Sequence, residues 1–200
     1  MEDRPIENKA FRVILLGVQE IVGENGLKSV LNYSGLTKYI GNIPPNDSEM
    51  TGPKTSDVYK LNEGIEEIFG KRGARAILLQ VGKKQARLGI DENPDIARAA
   101  LSAMETMSER DRVKTVITFT ADTASKQFNS ETRVQEEGDD FLYETASWIN
   151  RKSDTPLCHS TVGFLSGLVA WAVGGNDWKV QETRCVAMGD AMCVFRICRA

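Results

Sequence analysis

The sequence predicts an α+β fold: N-terminal helices packed on a mostly antiparallel sheet, with one helix inserted before a C-terminal hairpin. Three observations lead there. Apolar residues in the first half recur at helical spacing. From Val113 onward the pattern turns to β-branched residues and short alternating runs separated by Gly-Asp turns. The 200 residues are 41% hydrophobic and 26% charged, which suits one buried core, so residues 1–200 are read as a single domain.

Each element has its own signal. Ile6 to Val22 carries Phe11, Ile14, Leu15, Val18 and Ile21 on one helical face, and Gly23 can end it. A shorter helix follows through Leu27, Val30 and Leu31. Asn42 to Ser56 holds three prolines and reads as a long polar loop, a length that implies it covers something or moves. Ser56 is the expected N-cap of a helix through Val58, Leu61, Ile65 and Ile68 that stops at Gly70. Ala74 to Leu88 is a further helix. Asn93-Pro94 opens another, through Ile96, Ala100, Leu101 and Met104. Val113 to Thr120 reads as a strand. Thr132–Glu136 and Asp140–Ala146 flank Gly138-Asp139 as a hairpin. Ser160 to Val173 is a helix, and Trp178–Ala187 with Ala191–Cys198 forms the closing hairpin.

Composition excludes several classes. A net charge of −3 offers no footprint for nucleic acid or anionic lipid. No apolar run reaches the length of a membrane span. The acidic start, Met-Glu-Asp-Arg-Pro, is not that of a signal peptide, so the expected location is cytoplasmic. In a reducing compartment four cysteines point to metal, chemistry or simple burial rather than disulfides.

Three of those cysteines, Cys158, Cys185 and Cys193, fall in the last 45 residues, with Glu182 three places before Cys185. Thiolates plus one carboxylate suit a closed tetrahedral zinc site. The hairpin register decides whether they can meet. A two-residue Gly189-Asp190 loop puts Cys185 and Cys193 on opposite faces. A three-residue Met188-Gly189-Asp190 loop pairs them directly. In that register Glu182 lies opposite Arg196, as in a cross-strand ion pair, and reaches a metal only if the strand bulges. His159, the sole histidine, competes as fourth ligand. Burial as small hydrophobes, a Cys185–Cys193 disulfide, or a nucleophilic Cys158 beside His159 are the other readings of the thiols. Cys198 lies an odd step from Cys193 and is not expected to join them.

The same segment resembles the 4-vinyl reductase domain family. The marks are Pro156-Leu157-Cys158, Gly163-Phe164-Leu165-Ser166-Gly167, Glu182-Thr183-Arg184-Cys185, Gly189-Asp190 and Cys193-Val194-Phe195, within a resemblance strongest over 140–198. It implies a structural zinc on Cys158, Glu182, Cys185 and Cys193. Relatives include sensory domains that respond to aromatic hydrocarbons and hold their ligand between helix and sheet. The resemblance therefore implies Trp148, Phe164, Leu168 and Trp171 as walls of a hydrophobic pocket. The small residues Gly163, Gly167 and Ala170 either let that helix lie close to the sheet or leave room for the ligand.

Two functional classes follow. One is a non-catalytic, zinc-containing module that binds or senses a hydrophobic aromatic molecule. The other is a vinyl reductase or accessory factor in tetrapyrrole (bacteriochlorophyll-type) metabolism. The sequence shows no dinucleotide fingerprint, P-loop or iron–sulfur spacing to supply electrons, which favours the first. With no DNA-binding or ATPase segment in these 200 residues, a signal is expected to pass to a separate effector protein or through a homodimer.

Overall fold

A computed structural model describes residues 3–129, 131–146 and 151–200. Among them, five α-helices precede or interrupt four strands. They are α1 (Asn8–Tyr33), α2 (Thr55–Asp91), α3 (Pro94–Met104), α4 (Glu109–Gln127), β1 (Thr132–Glu137), β2 (Asp140–Thr145), α5 (His159–Val173), β3 (Trp178–Arg184) and β4 (Cys193–Arg199). The strands form one antiparallel sheet in the order β1-β2-β4-β3. The architecture is α+β, with α5 placed before the closing hairpin. No helix is long and apolar enough to cross a membrane.

The two glycines expected to end helices instead bend them. Gly23 (φ 77°) and Gly70 (φ 68°) each close one helical rod, and the next begins at once, so α1 and α2 are both bent pairs. Both angles lie in the region where side chains with a Cβ are strained. Ser56 is not the cap of α2. The helix begins one residue earlier, and Asp57 Oδ2 accepts the backbone N–H of Lys54 at 3.3 Å. The proline-rich loop covers the start of α1: Glu49 and Asp47 carbonyls accept the Asn8 and Lys9 amides at 2.8 and 3.0 Å. Those are first-turn N–H groups that have no partner inside the helix.

The expected strand Val113–Thr120 is wrong. These residues lie inside α4, whose N-cap Ser108 accepts the Asp111 N–H at 3.2 Å. The buried positions are Val113, Val116, Ile117, Thr120 and Ala121, a 3-1-3-1 spacing that only a helix places on one face. β-Branched composition had outweighed periodicity.

Two hydrophobic cores result. Phe11, Leu15, Val18, Leu31, Leu61, Ile65, Leu78 and Val81 join α1 to α2. Phe141, Tyr143, Phe195 and Ile197 of the sheet pack with Leu165 and Val169 of α5 and with Val113 and Ile117 of α4. Ala86 takes α2 into this second core. The crossing of α2 and α5 is unusually close. A Cβ on Gly163 would lie 2.1 Å from the Leu79 carbonyl oxygen, and one on Gly82 would lie 2.0 Å from the Ser160 carbonyl oxygen. Both glycines of the α5 small-residue stripe, Gly163 and Gly167, therefore face α2, not the sheet.

Candidate functional site

The closing hairpin brings a carboxylate and three thiols together through one irregularity. Below it, Gln181 pairs with Arg196 and Glu182 with Phe195; above it, Arg184 pairs with Val194. The register slips by one between Glu182 and Arg184. Without that bulge Glu182 would lie opposite Arg196, on the other face of the sheet. With it, Glu182 shares the face of Phe195 and Cys193. Arg196 is engaged elsewhere, by Asp140 of β2.

The expected three-residue loop is absent. β3 ends at Arg184 and β4 begins at Cys193. Between them lies a helical turn over Val186–Met188, closed by Gly189 at φ 103°. Asp190 Oδ2 accepts the Cys185 N–H at 2.8 Å, and the Cys185 carbonyl accepts the Met188 N–H at 2.8 Å. The Arg184–Val194 register, extended one step, still sets Cys185 against Cys193, and their sulfurs are 3.9 Å apart. The third thiol comes from the residue before α5: Cys158 Sγ lies 3.4 Å from Cys193 Sγ. The Val186 N–H points at Cys193 Sγ, 3.4 Å away.

Ligand atoms of Cys158, Glu182, Cys185 and Cys193 all lie within 4.8 Å of one another. Four ligands on a tetrahedral zinc with arms of about 2.3 Å have edges of about 3.8 Å, which the sulfur separations match. Glu182 Oε2 accepts the Cys158 N–H at 3.0 Å, while Oε1 is buried without a hydrogen-bond partner. A buried acceptor left alone is costly, and a cation would satisfy it. Burial pushes the Glu182 carboxyl up to about 8. Hydrogen bonding from Cys158, above all, pulls the Cys185 thiol down to about 4, and Cys158 is itself raised. The residues present fit a divalent metal with a preference for sulfur.

His159 is not in this group. It opens α5 and lines a neighbouring cavity, where burial, helped by Arg75, holds its imidazole below the ordinary value. Cys198 is also outside the cluster, and all four cysteines are free thiols.

The cavity measures about 1240 Å³ and lies between α2, the segment 151–157, the start of α5 and β3. Glu182 lines it and also belongs to the thiol cluster. The expected wall residues are elsewhere. Leu168 is buried in the sheet core, Phe164 and Trp171 pack against that core, and none of the three lines the cavity. Trp148 lies outside the described residues. Sequence reasoning missed the residues that do form the walls, among them Tyr59, Arg72, Arg75, Leu78, Leu79 and Val162. The basic run after Gly70 was the available signal. Nothing local tied it to residue 162.

The fold, a helical N-terminal half set on a four-stranded antiparallel sheet, is shared with several solved structures. An H-NOX protein from S. oneidensis in the Fe(II)NO state is similar at a TM-score of 0.60 and 13% identity, over 94% of this chain and 98% of that one. An H-NOX from Shewanella woodyi in the Fe(II)CO state aligns at 0.58 and 17%, over 96% and 94%. The phenol-responsive sensory domain of the transcription activator PoxR, solved with phenol, aligns at 0.55 and 13%, over 77% and 78%. At these identities the likeness is one of fold. No curated protein matches the sequence. Residues 150–199 match the V4R domain family, the family resemblance carried by Pro156-Leu157-Cys158 and the closing hairpin.

Proposed function

We propose that the chain is a non-catalytic sensory module. The cavity receives a small molecule with a hydrophobic, aromatic body, and Cys158, Glu182, Cys185 and Cys193 hold one structural zinc. The observation that carries this reading is the position of Glu182, which borders both the cavity and the thiol cluster. Zinc in such a site supplies a fixed crosslink between the start of α5 and the hairpin, and four protein ligands leave no open position for chemistry. The chain's own groups then do the sensing. Occupation of the cavity orders the segment 151–157, which is tied to the hairpin turn by the Ser153 N–H donating to the Ala187 carbonyl at 2.8 Å. The signal leaves through a cytoplasmic effector protein or a homodimer contact. The phenol named for the PoxR domain and the haem bound by H-NOX domains support a small-molecule ligand here.

The test is a thermal-shift screen of the full chain against phenols, naphthols and larger aromatics. A ligand that binds only the folded state raises the melting temperature, by about 2.7 kcal/mol of stabilisation at 100 times its Kd. No shift across the set, with one zinc per chain still bound, would leave a structural zinc domain and remove the sensory reading.

A further inference from the structure

The cavity is charged in a way that the chain as a whole is not. The chain carries −3, yet the cavity lining contains six Lys/Arg and four Asp/Glu. The acids are largely committed: Glu66 pairs with Arg151, Glu63 accepts the Tyr59 hydroxyl at 2.6 Å, and Glu182 belongs to the thiol cluster. Lys71, Arg72, Arg75, Lys152 and Lys179 have no side-chain ion-pair or hydrogen-bond partner among the described residues, and neither does Asp154.

Three of these cations share one stretch of α2. Lys71, Arg72 and Arg75 occupy the first turns of α2 beyond the Gly70 bend, and Lys152 comes from the facing segment. Leu78 and Leu79 continue the same wall along α2. At about 1.5 Å per residue, Lys71 and Leu79 are about 12 Å apart along the axis. Val162 of α5 lines the cavity with them, one residue from the Gly163 contact on Leu79. Along α2 the wall therefore runs from basic to apolar.

Lys71, Arg72, Arg75 and Lys152 are exposed, and a neutral hydrocarbon gains nothing from them. A carboxylate would meet two guanidinium groups able to donate paired hydrogen bonds. We propose that the cavity binds an amphipathic carboxylate, its anionic head among Lys71, Arg72, Arg75 and Lys152 and its apolar body along Leu78, Leu79 and Val162. This assignment rests on the reading of the cavity as a ligand site and names the class of ligand.

The experiment titrates the full-length, zinc-replete chain with 1-naphthylacetate and decanoate, each beside its neutral amide, by calorimetry at low and high salt. The acids are expected to bind at least about tenfold more tightly than the amides, an advantage that shrinks as salt screens the head group. Arg72 and Arg75 are both exposed, so the double variant Arg72→Gln/Arg75→Gln is expected to keep its melting temperature. In that variant the preference for acid should fall to within about twofold. Equal binding of acid and amide by the wild type overturns the carboxylate assignment and leaves the cavity as a site for neutral ligands. A tenfold preference that survives in the double variant overturns the placement of the head group. Absence of binding by all four compounds overturns this inference, while the screen of phenols and naphthols decides the sensory reading separately.

Discussion

Glu182 and Cys158 meet by a single hydrogen bond, the Cys158 N–H donating to Glu182 Oε2 at 3.0 Å. The bond joins β3 to the residue just before α5. It fixes the carboxylate so that its second oxygen, Oε1, is left buried beside three thiols. One residue thereby sets both the geometry of the cluster and one wall of the cavity.

Zinc content comes first. The purified chain is expected to carry one zinc, measured by elemental analysis and native mass spectrometry. Cys193→Ala should lose it and melt at least about 5 °C lower, since 1 kcal/mol shifts a domain of this size by about 2–4 °C. Cys198→Ala should keep both metal and melting temperature. Equal metal loss in the two variants would contradict the four-residue assignment.

Metal affinity should depend on pH through Glu182. Its carboxyl in the metal-free protein is raised to about 8, so between the unfolded value near 4.5 and about 8 it holds a proton that a metal must displace. Affinity should therefore rise with pH across that window and fall on acidification. Competition with a chromophoric chelator at pH 6, 7 and 8 measures the slope. Glu182→Gln should make it shallower, the raised Cys158 thiol supplying what remains. An unchanged slope would assign the proton to a thiol.

The α2–α5 crossing should tolerate no added carbon at its centre. Gly163→Ala and Gly82→Ala each push a methyl against a backbone carbonyl, and are expected to cost about 1–3 kcal/mol in urea unfolding. Gly167→Ala meets the Ala86 side chain at 3.0 Å and the Lys83 backbone no nearer than 3.4 Å, and should cost less. The reverse order would mean that the helices separate in solution.

Pure protein should not reduce vinyl tetrapyrroles. Nicotinamide nucleotides and flavins are expected not to bind, because reduction needs a donor and the sequence has no fingerprint for one. Nicotinamide-dependent loss of a vinyl group, abolished by Cys158→Ala, would reverse the functional assignment.

Local chemistry was legible in the sequence where it acted locally. Asn93-Pro94 opened α3, Gly138-Asp139 turned β1 into β2, and the spacing rule at Glu182 required the bulge that lies between it and Arg184. The failures share another cause. Val113–Thr120 looks extended by composition, and only its 3-1-3-1 burial, set by packing on the sheet, marks it as helix. The cavity walls were missed because they bring Arg75 and Leu78 beside Val162, some 85 residues away along the chain. Phe164 and Trp171 pack against the second core and lie outside the cavity lining.

The strand order has a consequence for dissection. β4 is hydrogen-bonded on one side to β3 and on the other to β2, so half of its ladder partners lie before residue 150. Excised there, the segment that carries every thiol would present Phe195 and Ile197 without Phe141 and Tyr143 beside them, and one full row of peptide groups open to water. Such an edge recruits other chains. Fragments meant to isolate the thiol cluster should begin no later than β1, and shorter ones are expected to precipitate as strand-paired aggregates rather than report on the site.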